Sequence, residues 1–163
     1  MEVINSSFGK PDVIAGVATG GVAIGALVAQ ELGLPFVYVR SEPKKHGLGN
    51  QIEGVIEAGQ KVVVIEDLIS TGGSSLNAVA ALRSAGAQVL GMVAIFTYGF
   101  EQSIANFKDA GCPLATLTNY DTLIKQASNS GFVVEKHLQT LMAWKKDPKA
   151  WSEQFSVNHS VAS

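Results

Sequence analysis

The chain is short of cysteine, of net charge and of uninterrupted apolar sequence, and each shortage removes a class of protein. The single cysteine, Cys112, leaves no internal disulfide framework and no multi-cysteine metal site; it suits a reducing cytosol and a packing role. A net charge of −2 over 163 residues supplies no basic field of the kind that drives non-specific DNA or RNA binding, so nucleic acid is not an expected partner. The segment Met1 to Pro11 is polar and carries no visible signal peptide. One charge-free run, Val13 to Gln30, has the length of a membrane span. Gly16, Gly20, Gly21 and Gly25 with Thr19 break it, however, into a strand-like half, a glycine turn and a helix-like half. The expectation is a cytoplasmic chain without a membrane span, free of internal repeats, and of a length that fits one domain with a real core.

What is present is an alternation of strand and helix patterns. Strands are predicted at Asp12 to Ala18, Phe36 to Arg40, Lys61 to Ile65, Gln88 to Phe96 and Leu114 to Leu117. Helices are predicted at Val22 to Leu32, Ser75 to Ala85, Glu101 to Ala110, from an Asn119 or Asp121 cap to about Ala127, and across Val134 to Trp151. Gly33, Gly86 and Gly111 follow three of the helices as stops. This order implies an α/β fold: an open, mostly parallel five-stranded sheet flanked by helices, Rossmann-like in arrangement. Residues 1–11 read as a lead-in segment without apolar periodicity, closed by Gly9-Lys10-Pro11 as a helix stop; residues 12–151 form the core domain; residues 152–163 are expected to be disordered.

The most informative stretch is Lys61 to Ala85. Val62-Val63-Val64-Ile65 suits a strand buried on both faces, and it runs into the acid pair Glu66-Asp67. Leu68-Ile69-Ser70-Thr71-Gly72-Gly73-Ser74 then opens a helix, whose first N–H groups and dipole receive a phosphate well. The turn has no G-x-x-x-x-G-K and no lysine, so it is no triphosphate loop, nor does it match G-x-G-x-x-G. Two carboxylates cannot sit against the phosphate without repulsion, so they should face hydroxyls or a cation. A ribose 5-phosphate meets both demands, with its hydroxyls reaching the acids directly or through Mg²⁺. The same residues also fit a plain strand-to-helix turn with an N-cap and a solvated acidic edge.

Ligands of open α/β sheets bind beyond the carboxyl ends of the strands. That rule brings Thr19-Gly20-Gly21, Arg40, Glu66 to Ser74 and Thr97-Tyr98-Gly99 to one rim. After Arg40 the alternation lapses: Ser41 to Gly54 holds Lys44-Lys45-His46 and three glycines with few apolar anchors, which reads as a mobile lid, although Lys44-Lys45 also fits a solvated charge run.

Val62 to Ser74, Leu68 and Ile69 included, resembles the phosphoribosyl diphosphate (PRPP) signature of the type I phosphoribosyltransferases. Tyr38 to Gly54 resembles the catalytic loop of the orotate phosphoribosyltransferase family, and similarity runs from about Pro11 to Trp151. The resemblance implies transfer of a phosphoribosyl group from PRPP to orotate with Mg²⁺ as cofactor. Glu66 and Asp67 then hold the ribose hydroxyls, Ser70 to Ser74 the 5-phosphate, and Thr19, Gly20 and Gly21 the pyrophosphate. Arg40, Lys44, Lys45 and His46 meet the pyrophosphate from the lid, with Lys44, His46 and Asp67 as the catalytic groups and Ser70 and Tyr98 towards orotate. It also implies a homodimer whose lid reaches the neighbouring subunit's site.

The chain departs from the family pattern at Ser41 and Gly20, where some relatives carry lysine, and at Tyr98, where some carry arginine. Relatives have an N-terminal hood over orotate, so residues 1–11 are expected to be its remnant, with PRPP binding kept and orotate turnover weakened. Two other readings stand beside orotate transfer: a purine acceptor, since Val62 to Ser74 does not choose the base, and a non-catalytic PRPP-binding regulatory module.

Overall fold

The computed structural model describes residues 1–40 and 51–153. Two compact units divide it, Met1–Thr118 and Asn119–Ser163. In the first unit the strands β1 (Val13–Val17), β2 (Phe36–Val39), β3 (Ile52–Glu53), β4 (Lys61–Ile69), β5 (Gln88–Thr97) and β6 (Leu114–Asn119) form one sheet in the order β3-β2-β1-β4-β5-β6. The pairs β1–β2, β1–β4 and β4–β5 are parallel, whereas β2–β3 is antiparallel. The parallel α/β sheet expected from the sequence is there, with six strands instead of five. The extra strand, β3, is two residues long and joins the edge by pairing Tyr38 with Glu53 and Val39 with Ile52. So short a strand shows no alternation, and it takes the end of the Ser41 to Gly54 segment out of the predicted loop.

The valine run of β4 is buried on both sides as its composition required. Val62 and Val64 belong to one apolar cluster, Val63 and Ile65 to another, and none is more than 3% exposed. Helices α3 (Gly73–Ser84) and α4 (Glu101–Asp109) cover the first face through Ala78, Val79, Leu82 and Phe107. On the second face lie Ile24, Val28, Ala29 and Leu32 of α2 (Gly20–Leu32). The charge-free run Val13 to Gln30 thus divides into β1 and most of α2, and no helix among the described residues is long and apolar enough to cross a membrane. Cys112 is buried, and burial pushes its thiol up from the ordinary range, which keeps it unreactive.

The lead-in segment, in which only a helix stop was expected, carries a helix of its own. Residues Glu2–Phe8 form α1, stopped by Gly9 at a φ of 73°. Ile4 is buried in the second cluster, and Phe8 packs on β5 so closely that a Cβ on Gly91 would overlap its ring. Seven residues are too few to display a helical period, but the stop signal at Gly9 was correctly placed.

In the second unit, Asn119 caps α5 (Tyr120–Asn129) by accepting the Thr122 N–H at 3.0 Å. Helix α6 (Glu135–Lys146) packs its Trp144 ring 5.4 Å from that of Tyr120, and the Tyr120 hydroxyl donates to the Leu141 carbonyl at 3.2 Å. The single helix expected to Trp151 breaks at Asp147, because Pro148 disfavours helical geometry in the residue before it. Residues 148–153 are helical again, with the Asp147 carboxylate accepting the Ala150 N–H at 2.9 Å. The remainder of the expected tail, 154–163, lies outside the described residues.

Candidate functional site

Four neighbouring parallel strands, β2, β1, β4 and β5, end on one rim, and the loops that leave them carry Arg40, Thr19 to Gly21, the segment after Ile69, and Tyr98. The Ala18 N–H donates to the Val39 carbonyl at 2.8 Å and ties the exits of β1 and β2. The Ala18–Thr19 peptide is cis. Gly20 and Gly21 then approach β4 so closely that a Cβ on Gly20 would overlap the Asp67 carboxylate, and one on Gly21 the Ile65 carbonyl. On the other side, the Tyr98 N–H donates to the Ile69 carbonyl at 3.1 Å, and the Thr97 hydroxyl accepts the Gly99 N–H at 3.0 Å. The convergence expected at the carboxyl ends of parallel strands is therefore physical contact for Thr19 to Gly21, Glu66 to Ile69 and Thr97 to Gly99.

The two acids differ. Strand β4 continues through them to Ile69, so they sit within its last turn-ward residues and not beyond its end. Alternation turns Glu66 inward, 5% exposed, and Asp67 outward to solvent. The buried Ser75 hydroxyl donates to Glu66 Oε2 at 2.8 Å, and the Asp67 N–H to Oε1 at 3.1 Å. Burial pushes the Glu66 carboxyl up to about 7; the Ser75 hydrogen bond acts against that rise, and the nearby Asp67 charge reinforces it. Asp67 Oδ1 accepts the Leu68 N–H at 2.7 Å, which fixes a carboxylate that still faces the rim.

Beyond Ile69, residues Ser70 and Thr71 are exposed, and Gly72 holds a φ of 83° as the cap of α3. Having no side chain, Gly72 offers no cap to the first N–H groups of the helix; among the described residues, the first amide of that turn with a backbone acceptor is Leu76, bonded to the Gly72 carbonyl at 2.9 Å. The turn of Gly73, Ser74 and Ser75 thus presents donors together with the positive end of a helix, and the Ser74 hydroxyl stands among them. Glu66 reaches the same turn from below through Ser75. One end of a sugar phosphate and its hydroxyls can be met within a span of ten residues, Glu66 to Ser75.

Arg40 is held by backbone bonds on both sides, its N–H to the Gln51 carbonyl and its carbonyl from the Gln51 side-chain amide, each at 2.9 Å. Its guanidinium pairs with Glu53 of β3 at 3.6 Å. The Tyr98 ring stacks on Phe100 at 5.3 Å, 8° from parallel, and meets Phe96 edge-on at 5.3 Å. Lys44, Lys45 and His46 lie outside the described residues. Sequence reasoning missed Ser75, whose hydroxyl at the start of a predicted helix could have signalled a partner on the preceding strand. It also missed Asn106 and Phe107 of α4, which touch the Thr71 and Gly72 turn and have no local signal.

A parallel α/β sheet whose rim pairs a buried and an exposed acid with an N–H-lined helix start has the groups that a sugar-phosphate site needs. The family model "Phosphoribosyl transferase domain" matches residues 1–139. The orotate phosphoribosyltransferase of Phocaeicola vulgatus is 57% identical over 149 residues, covering 91% of this chain and 70% of that protein. That of Listeria monocytogenes serotype 4b is 55% identical over 152 residues, 93% of this chain and 73% of the relative. The crystal structure of the Aeropyrum pernix orotate phosphoribosyltransferase superposes with a TM-score of 0.68 at 30% identity, over 82% of this chain and 72% of that one. The chain belongs to the type I phosphoribosyltransferases and, within them, to the orotate phosphoribosyltransferase family.

Proposed function

We propose that the chain transfers the 5-phosphoribosyl group of PRPP to orotate, giving orotidine 5-phosphate and pyrophosphate in pyrimidine (UMP) biosynthesis. The observation that carries this reading is the placement of Glu66 and Asp67 near the end of β4 and of the α3 N-terminus directly after that strand, beside the Thr19 to Gly21 turn. The 5-phosphate accepts N–H groups of Gly73 to Ser75 with the hydroxyls of Ser70, Thr71 and Ser74 about it. The ribose hydroxyls donate to Asp67 and Glu66.

In the reaction the orotate nitrogen forms a bond to the anomeric carbon as the bond from that carbon to the pyrophosphate oxygen breaks; the electron pair leaves on that oxygen, and the proton of the ring nitrogen is released to water or to the departing pyrophosphate. Positive charge gathers on the sugar ring at the transition state, where the outward carboxylate of Asp67 stabilises it. Lys44 and His46, with Arg40 and Lys45, neutralise the departing pyrophosphate, and Thr19, Gly20 and Gly21 meet it from the opposite side. Glu66 and Asp67 are hard oxygen donors that suit Mg²⁺, which would take its further ligands from donor oxygens and water. When bound, the ion supplies charge neutralisation to the leaving group. The flat faces of Tyr98 and Phe100 suit a planar acceptor, and Ser70 borders the same space. The reading includes a cytoplasmic homodimer in which the 41–50 part of the expected lid of one subunit closes on the other's site and excludes water.

The test is titration of Mg²⁺-PRPP into wild type and Asp67→Asn, followed by pyrophosphate release with orotate, adenine, hypoxanthine and guanine. Orotate alone should release pyrophosphate, and Asp67→Asn should lower kcat/KM by roughly tenfold to a hundredfold, the worth of a hydrogen bond to a charged group. Release with a purine would replace orotate by that base. PRPP binding with no release from any base would make the chain a regulatory module.

A further inference from the structure

We propose that α4 positions the phosphate loop, with Asn106 as its latch and Phe107 as its floor. The inference rests on reading that loop as the 5-phosphate site. Asn106 Nδ2 donates to the Thr71 carbonyl at 2.9 Å, across 35 residues of sequence. The next residue, Phe107, is 4% exposed and lies under Gly72, where a Cβ would come within 2.6 Å of its Cε2 atom. Consecutive residues of one helix therefore fix consecutive residues of the loop, one by a polar tie and one by contact.

The helix that does this is itself anchored. Arg83, in the last turn of α3, donates to the carbonyls of Ala110 and Gly111 at 2.7 and 2.9 Å and so satisfies the C-terminal end of α4. The C-terminal half of α4 is thus tied twice to α3, through Arg83 at the end of α3 and through Asn106 to the loop that precedes its start. The direction in which the Gly72 and Gly73 peptides point is set between them. Within the loop, Gly72 contributes only the freedom to hold a φ of 83°. An anion site made of backbone donors depends on their orientation before the ligand arrives, since reorienting them on binding costs affinity. Asn106 touches no part of the ligand; it is a positioning residue, and its removal should weaken the phosphate end of the donor while leaving the pyrophosphate end alone.

The experiment compares wild type, Asn106→Ala and the isosteric Asn106→Asp, which keeps shape but loses the donor. Ribose 5-phosphate and Mg²⁺-pyrophosphate are each titrated calorimetrically, and steady-state turnover is measured against PRPP. Both variants should bind ribose 5-phosphate about threefold to tenfold more weakly, the worth of one neutral hydrogen bond, with pyrophosphate affinity unchanged. The KM for PRPP should rise by a similar factor while kcat moves little. Unchanged ribose 5-phosphate affinity, or equal loss for both ligands, overturns the latch. If wild type binds neither ligand, the phosphoribosyl reading fails, and the latch is decided by amide exchange. Leu76, bonded to the Gly72 carbonyl, should then exchange faster in Asn106→Ala while Ala87, bonded to the Leu82 carbonyl at the far end of α3, does not. Equal change at both amides, or none, overturns it.

Discussion

Glu66 pairs a structural cost with a chemical use. Its carboxyl is held in the folded protein at about 7, against an ordinary value of 4.5, and burial is the main cause. Between those two values the folded state keeps a proton that the unfolded chain has released. The folded state binds more protons across that window, so stability falls as pH rises from about 4.5 to about 7 and levels off above it. The span corresponds to at most about 3 kcal/mol. Urea unfolding at a series of pH values should show this decline, and Glu66→Gln should flatten it; an unchanged slope in the variant would assign the decline to another group. The acid pair was legible in the sequence, because charge at the end of a valine run needs a reason. Its asymmetry was not, because that depends on Ser75 turning back from α3 to meet one acid and leave the other at the rim.

Among the elements, α1 is the one whose importance its sequence conceals. Only Ile4 is fully buried in it, and seven residues present scarcely two turns. Yet it closes the second face of the sheet beside β5, where Phe8 rests against Gly91. Ile4→Ala should lower unfolding stability by about 2–5 kcal/mol, the usual range for emptying a buried aliphatic site, read as a shift in urea midpoint at constant slope. A loss within about 0.5 kcal/mol, typical of surface substitutions, would show that the helix adds little. The five strands found from sequence are those whose burial forces an apolar run or sits between clear glycine stops. Strand β3 escaped because its two residues owe their form to the edge of β2, and pairing partners are not written into so short a segment. For the same reason Asn106 was silent: its partner is the Thr71 carbonyl, and a backbone atom leaves no compositional trace.

At the scale of the whole molecule, the proposed lid makes the site depend on two chains. Lys44→Ala and Asp67→Asn should each be impaired by about tenfold or more alone, one lacking a lid cation and the other the ribose acid. If the lid serves the neighbouring site, mixing the two after reversible dissociation restores turnover to about a quarter of wild type, because half the dimers are mixed and each holds one intact site. A mixture no more active than its parts would confine the lid to its own subunit. That the strands run parallel was readable from the alternation of elements, and it brought the loops after β1, β2, β4 and β5 to one rim; the order of the strands and the distance between loops were not readable. Gly20 shows what that distance entails. Since its missing Cβ is the space that the Asp67 carboxylate occupies, a side chain at position 20 displaces that carboxylate from the place where it accepts the Leu68 N–H. Positions 20 and 67, 47 residues apart, share one volume at the rim, so what stands at the first sets where the carboxylate of the second can point.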